Sequence, residues 1–522
     1  MALCSLFLIF MSQYLTANEW GFSMTKDNPF AIFGFLQEVA KKSVGEMDVI
    51  DLSRGDPGYG FTPSERGRRF YSYLLQLDTF LNNETDRFVN VKREHLDDAL
   101  KRITDFTHTT YSKKVAEDLL KDMDEFGIKI EEMARESGLE WDRFDVLNRI
   151  FRHSTVSGGN YLDPQGEEIV RVVLAHWYRQ FIEVPLDHED IILTYGASHA
   201  IGTLFKGLGT GGLGYLKEGS MVLVSSPVYA PYNFTLNHRD IDSFVLSVDP
   251  FTGDLLEESL QHLEQFDGEL KAVILIDPNN PTGFSLTEES LRRIAGVARK
   301  HNALIITDEV YTSFFPRKKT MVDFAPERTV RIDARSKIER STGLRFGDMF
   351  ISKEANEYIT KQILQEYLSS GQDVKEFLIQ AKGPGGSDGE LQHTTFVPGP
   401  SQFLGISHMV LAQEERQRYF EGVRHNVDVF VKELGLPHEG NLYYAIFDMN
   451  SIERCTKKST PPEEKLLALA KSGVVYLPAN LFFSEHEREK QDMTNMVRAS
   501  VVNTSIENVE RAALITKKYL TS

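Results

Sequence analysis

Two styles of apolar spacing run along this chain. Between residues 84 and 150 the apolar positions recur with the helical period and proline is absent; in "REHLDDALKRITDF" Leu96, Leu100 and Ile103 share one face. "KKVAEDLLKDMDEFGIKIEEMARESGLEWDRFDVLNRIF" continues in the same charged, amphipathic manner, so a helical segment is expected there. From about 190 short apolar runs take over: "DIILTYGAS", "SMVLVSSPVY", "DSFVLSV", "KAVILIDPNN", "ALIITDEVY" and "RTVRIDARSK". Helical stretches such as "TEESLRRIAGVARKH" (Thr287 to His301) fit between several of them. Near-continuous apolar strands alternating with helices predict an α/β fold, with a mostly parallel central sheet covered by helices on both faces. After 351 a Gly- and Pro-rich stretch, "IQAKGPGGSDGELQHTTFVPGPSQ", reads as loop. Beyond it "GNLYYAIFDM", "GVVYLPANLFF" and "NMVRASVVN" predict strands of a smaller α+β domain. The expected division is an N-terminal arm and part of the small domain over 1–60, a large domain over 61–365 with 84–150 inserted in it, and a C-terminal small domain over 366–522.

Composition narrows the function classes. The 522 residues are 41% hydrophobic and 26% charged, as in a folded soluble protein with more than one lobe. A net charge of −18 argues against a nucleic-acid partner. Cys4 and Cys455 are the only cysteines, so neither a disulfide framework nor a thiolate metal site is expected. No run reaches the roughly 18 apolar residues that span a membrane. Ala2 to Met11 is mostly apolar, but no Lys or Arg precedes Lys26, and a start at Met11 or Met24 is an alternative; a cytoplasmic protein is expected.

The candidate chemistry stands at the ends of the apolar runs, where sheets of this kind bind ligands. Gly196-Ala197-Ser198 follows "IILTY" and opens a helical stretch whose free N–H groups suit a phosphate, although such a triplet also serves simple packing. Tyr229 follows "VLVSSP" and can stack on a planar ring or fill a core. "DPNNPTG" (Asp277 to Gly283) reads as a turn, with Asn280 at its centre. Asp308 ends "ALIIT" with Tyr311 three residues on; an N-cap is the plainer role for that acid. Lys337 ends "TVRIDARS", with Arg345 eight residues later, and Arg498 interrupts the apolar "NMVRASVV", where a buried ion pair is the simpler account.

Taken together, these residues resemble the class I/II aminotransferases of the fold-type I pyridoxal phosphate (PLP) enzymes. The resemblance runs from "DLSRGDPG" (Asp51 to Gly58) to "VRASVVN" (Val497 to Asn503); its anchors are "NPTG", the Asp308/Tyr311 pair, and Lys337 with Gly343 and Arg345. "YLDPQGEEIVR" (Tyr161 to Arg171) is similar to the family's segment ahead of a helix. The resemblance implies the type I PLP-dependent transferase fold, with the large domain binding PLP and no metal. It implies that Lys337 forms a Schiff base with the cofactor and then moves a proton between the substrate Cα and the cofactor. It implies Asp308 at the pyridine nitrogen, Asn280 and Tyr311 at the ring oxygen, and Tyr229 stacked on the ring as a third catalytic residue. Gly196, Ala197, Ser198, Ser336 and Arg345 would hold the phosphate, Tyr161 would reach the phosphate of a partner subunit, and Arg498 would clamp the substrate α-carboxylate. Two positions depart from the family's habit: Ala334 where a serine is frequent, and Arg340 where a small residue is frequent.

The helical segment at 84–150 and the long insertion after the Lys–Arg motif are similar to the L-aspartate 4-decarboxylases, relatives of aspartate aminotransferase. "SRGDPG", "GGNYLDPQGEEIV" and "TTFVPGPSQ" carry that looser likeness. It implies that Arg54, next to Gly55, faces a distal substrate carboxylate, with Asn280 and Arg498 completing the substrate contacts. The expected function is a PLP-dependent aminotransferase acting through a ketimine on aspartate or a similar acidic amino acid, with 4-decarboxylation to alanine and CO2 left open. The alternative is a PLP transaminase or lyase for another amino acid in a biosynthetic pathway. A non-enzymatic PLP-binding protein is disfavoured by the presence of all six of Lys337, Asp308, Asn280, Tyr311, Arg345 and Arg498. Small amino acids and 2-oxo acids are the expected partners, together with a second copy of the chain as homodimer or larger homo-oligomer; nucleic acid and membrane are not. The helical segment is expected to serve assembly rather than to act as a lid.

Overall fold

A computed structural model describes residues 29–57, 64–81, 91–153, 162–208, 215–315, 319–369, 397–436, 443–483, 487 and 493–522. In chain order the strands are β1 (Ile50–Asp51), β2 (Ile191–Thr194), β3 (Met221–Ser226), β4 (Asp242–Ser247), β5 (Ala272–Ile276), β6 (Leu304–Asp308), β7 (Thr329–Ala334), β8 (Gly347–Ile351), β9 (Tyr444–Asp448), β10 (Val474–Val475), β11 (Leu477–Pro478) and β12 (Met496–Ser500). Strands β2 to β8 form a seven-stranded sheet in the order β2-β8-β7-β6-β5-β3-β4. The pairings among β4, β3, β5, β6 and β7 are all parallel, while β8 runs against both β7 and β2. Every residue of β5 and β6 is buried, which is why those segments read as unbroken apolar runs.

Strand β8 was not expected from the sequence. Its residues, "GDMFI", open with a glycine and an acid, both poor strand formers. The fold has a use for each. A Cβ on Gly347 would stand 2.6 Å from the Cα of Gly196, so the close approach of these backbones requires glycine. Asp348 is buried and accepts hydrogen bonds from Arg335 and Tyr178.

The charged segment is helical, as its periodicity predicts, over Leu96–Thr110, Lys113–Glu136 and Arg143–His153. In the first of these the deepest positions are Ala99, Ile103 and Thr107, with Leu96 and Leu100 only partly covered. In the second, Leu119, Met123, Phe126 and Ile130 form the stripe that packs inward. These helices share one apolar cluster with helices Glu65–Leu81, Glu168–Tyr178 and Gly399–Leu411 and with Ile191, Leu193 and Phe350 of the sheet. Helix Gly399–Leu411 therefore packs beside the sheet, although it follows residue 366. A second cluster joins helix Pro29–Val44 and β1 to the C-terminal α+β region. There β9, β12 and β11 form an antiparallel sheet, and β1 pairs in parallel with β10. Among the described residues no helix is long and apolar enough to cross a membrane.

Candidate active site

The last residues of β5, β6 and β7 (Ile276, Asp308 and Ala334) open onto one cavity of about 520 Å³. Twelve of the residues singled out in the sequence line it: Arg54, Gly55, Ala197, Ser198, Tyr229, Asn280, Asp308, Tyr311, Ser336, Lys337, Arg345 and Arg498. Gly196 stands next to that lining. It has φ of +85°, and a Cβ there would meet Arg345 Nη2 at 2.7 Å, so glycine permits both the turn and the approach of the guanidinium. Tyr161 lies outside the described residues.

The DPNNPTG turn presents Asn280 to this cavity. Asn279 N–H donates to Phe284 O at 2.7 Å, and Gly283 N–H donates to Asn279 O at 2.9 Å. The Asn279 side chain is held against Pro227 O at 2.8 Å, leaving the next amide side chain to face inward. There Asn280 Oδ1 accepts from Arg498 Nη1 at 2.9 Å, and Arg498 Nη2 donates to Ser53 O at 2.6 Å. Arg498 is buried, yet among the described residues it has no carboxylate partner, and its Nε has no hydrogen-bond acceptor. A buried guanidinium so placed is incomplete without an anion. The simpler account offered by the sequence, a buried ion pair, does not hold at this residue among the described side chains.

Lys337 sits on a single helical turn, Arg335–Ile338, directly after β7, and its Nζ donates to Gly55 O at 2.6 Å. Burial pulls its pKa down to about 8; Arg498 and Arg345 act the same way, and Asp56 and Asp308 oppose them. Burial pushes the carboxyl of Asp308 up to about 7, against hydrogen bonds from Val310 N–H at 3.4 Å and the Tyr232 hydroxyl at 3.2 Å. Asp308 caps no α-helix, since only a short 3-10 turn follows at Thr312–Phe314. Near neutrality the pocket therefore holds an amine and an acid, each able to change charge at small cost.

The candidate anion end is built around the start of helix Ala197–Leu208, where His199 and Ala200 N–H donate to Gly196 O at 3.0 and 3.1 Å, while Ala197 and Ser198 line the cavity and their N–H groups meet no acceptor among the described residues. Arg345, with φ of +55°, donates from Nη2 to Tyr195 O and from Nη1 to Thr342 O, both at 3.0 Å. Ala334 lines the cavity and offers no hydroxyl, while Ser198, Ser336 and Thr342 do. Arg340 is not part of the lining; it turns at φ of +53° and lies 5.0 Å from the Tyr419 ring.

Sequence reasoning missed Ser53, Asp56, Thr342, Tyr444 and the supporting Tyr232. Ser53, Asp56 and Tyr444 stood inside quoted segments, but a serine or an acid in a loop and an aromatic in a strand carry no chemical signature of their own. The set fits a planar aromatic aldehyde bearing a phosphate: an amine to condense with, an acid for a ring nitrogen, a tyrosine for the ring face, and an arginine at a helix start for the anion.

Residues 142–386 match the family model described as aminotransferase class I and II. Over 518 residues the chain is 22% identical to a protein of a Pseudomonas species named bifunctional aspartate aminotransferase and L-aspartate beta-decarboxylase, covering 91% of this chain and 93% of that one. It is 26% identical over 211 residues to an aspartate aminotransferase of Pyrococcus horikoshii, a match that spans 39% of this chain and only 50% of the relative. The solved structure of a double mutant of Thermus thermophilus aspartate aminotransferase has the same fold, with a TM-score of 0.60 at 19% identity, over 96% of this chain and 100% of that one.

Proposed function

This chain carries the class I and II aminotransferase region over residues 142–386 and has the fold of the PLP-dependent aminotransferases, and from that premise we propose that it transfers the amino group of aspartate or a similar acidic amino acid to a 2-oxo acid. The observation that carries this reading is the convergence of Lys337, Asp308, Arg345 and Arg498 on one cavity, with neither arginine paired to a carboxylate among the described residues. When bound, PLP supplies an electron sink for the carbanion formed at the substrate Cα. Asp308, ionised against a protonated ring nitrogen, keeps that proton in place. Arg345, Ser198, Ser336, Thr342 and the amides at the start of helix Ala197–Leu208 hold the phosphate. Tyr229 covers the ring face, and Asn280 and Tyr311 hydrogen-bond the ring oxygen. Lys337, balanced near about 8, takes the proton from the substrate Cα and delivers it to the cofactor. Arg498 pairs with the α-carboxylate, its orientation fixed by Asn280 and Ser53.

Arg54 gives the preference for an acidic substrate. It lines the same cavity, and its Nε lies 3.4 Å from Asp51 Oδ2. A second reading, 4-decarboxylation of aspartate to alanine, is supported by the Pseudomonas relative, whose match spans nearly all of both chains. An arginine shared with Asp51 pairs a distal carboxylate incompletely, and incomplete pairing favours loss of CO2. The proposal also includes a cytoplasmic protein that works as a homodimer or larger homo-oligomer.

Borohydride reduction of the PLP-loaded protein should fix the label on Lys337; a label on another lysine overturns the assignment. With L-aspartate and 2-oxoglutarate, oxaloacetate and alanine should be assayed together. Replacing Arg54 by alanine should lower kcat/KM for aspartate by roughly 10–100-fold, the worth of one charged hydrogen-bonded pair, and leave an amino acid without a second carboxylate unaffected. Normal handling of aspartate by that variant removes the acidic preference.

A further inference from the structure

Tyr444 at the start of β9 belongs to no role described so far, yet it touches both halves of the site. It is fully buried, its hydroxyl lies 2.8 Å from that of Tyr311, and its ring lies 4.5 Å from the guanidinium carbon of Arg498. We infer that Tyr444 is a positioning residue: its hydroxyl donates to Tyr311 and strengthens the bond that Tyr311 gives to the cofactor ring oxygen, while its ring seats Arg498. The inference rests on the reading of the site given above.

A count of protons carries the first part. A tyrosine hydroxyl has one hydrogen. Once Tyr311 spends its hydrogen on the ring oxygen, the 2.8 Å contact survives only with Tyr444 as donor. A hydroxyl that accepts a bond becomes a better donor, so the pair acts as a short chain aimed at the ring oxygen. The neighbouring Tyr443 does not compete, because its hydroxyl donates to Gly55 O at 3.1 Å. The charged groups that bear on the pair are Arg498 from β12 and Asp56 from the loop after β1, with Tyr229 beside them. Space for the Tyr444 hydroxyl depends on Gly55, where a Cβ would stand 2.2 Å from that oxygen. The second part needs no hydrogen: the face of the ring attracts the guanidinium, and phenylalanine retains that attraction.

The two parts separate in three variants of the PLP-loaded protein. A ring oxygen that receives a strong hydrogen bond keeps its negative charge, which holds down the pH at which the lysine-bound chromophore titrates. Tyr311→Phe should raise that pH by roughly 1–2 units, the loss of a charge-assisted bond. Tyr444→Phe should raise it by roughly 0.2–0.5 unit, with the Kd of a dicarboxylate substrate analogue unchanged. Tyr444→Leu should raise it similarly and also weaken the analogue about tenfold, as cation–π support for Arg498 is lost. The double variant Tyr311→Phe/Tyr444→Phe should titrate with Tyr311→Phe alone. A shift in Tyr311→Phe with none in Tyr444→Phe overturns the inference and leaves the site reading intact. No shift in Tyr311→Phe overturns both. Circular dichroism and the cofactor band confirm that each variant is folded and loaded.

Discussion

Asp308 shows at the scale of one residue how a functional site taxes the fold that holds it. Burial places its carboxyl near pH 7, whereas an unfolded aspartate ionises near ~3.9. As pH rises the unfolded chain releases this proton first, so the stability contributed by the protonated form is complete below about pH 4 and lost as pH passes about 7. Lys337 runs in the opposite sense: depressed to about 8, it contributes stability at high pH that is lost as pH falls through that value. Asparagine at 308 does not titrate. In protein stripped of PLP, urea unfolding should therefore show Asp308→Asn gaining on the wild type between pH 4 and pH 8, by on the order of 2–4 kcal/mol. The same variant should bind PLP more weakly. A stability difference that does not change with pH would mean that the carboxyl is not held protonated by its surroundings. Sequence reasoning reached Asp308 by its place at a strand end, but Tyr232, whose hydroxyl bonds it, lies in no comparable position and carried no signal.

At the scale of elements, legibility followed burial. Strands β3, β5 and β6, covered on both faces, stood out as apolar runs, and helix Glu288–Lys300 fell inside the helical stretch Thr287 to His301 read between two of them. Strand β7 was legible despite its charges; Arg331 is wholly buried and paired with Glu309 at 2.7 Å, and Arg335, just beyond the strand, pairs with Asp333 at 2.6 Å. The Arg331–Glu309 pair is invisible in one sequence because its partners stand 22 residues apart, one within β7 and the other just beyond the end of β6. The helical segment was legible as helix, but the face it buries in Leu96–Thr110 was read one position away, because Ala99 and Thr107 are small or polar and carry little weight in a hydrophobic count. Among the contacts that tie this segment to the rest is one between aromatic rings. Phe126 is buried, with its ring centroid 5.0 Å from that of Phe70 in helix Glu65–Leu81. Phe126→Ala should cost about 3–5 kcal/mol, read as a lower Tm, while the absorbance of bound PLP stays as in the wild type. A loss of the cofactor band at temperatures where the variant is folded would show that the segment also shapes the site.

At the scale of the whole molecule, the site exists only where the sheet region and the C-terminal α+β region meet. Asn280, Asp308 and Lys337 come from the sheet side, while Tyr444 and Arg498 come from β9 and β12. The joint between them passes through one residue of the motif DPNNPTG. Gly283 has φ of +73°, and a Cβ there would stand 2.4 Å from Tyr444 O and 3.1 Å from Tyr444 N. The glycine is thus required twice, by its own turn and by the β9 backbone pressed against it, which a single sequence cannot reveal because the second partner lies far along the chain. Alanine at this position must push β9 away from the turn, and β12 moves with it through their five paired positions, Met496↔Asp448 to Ser500↔Tyr444. The Arg498–Asn280 bond at 2.9 Å crosses that joint, whereas the end proposed for the phosphate, around Ser198 and Arg345, does not. Gly283→Ala should therefore raise KM for the amino acid by roughly tenfold or more, the worth of a misaligned charged contact, and change the Kd of PLP far less. Equal losses in both would mean that the turn supports the cofactor end as well, and that the joint is not where substrate recognition is set.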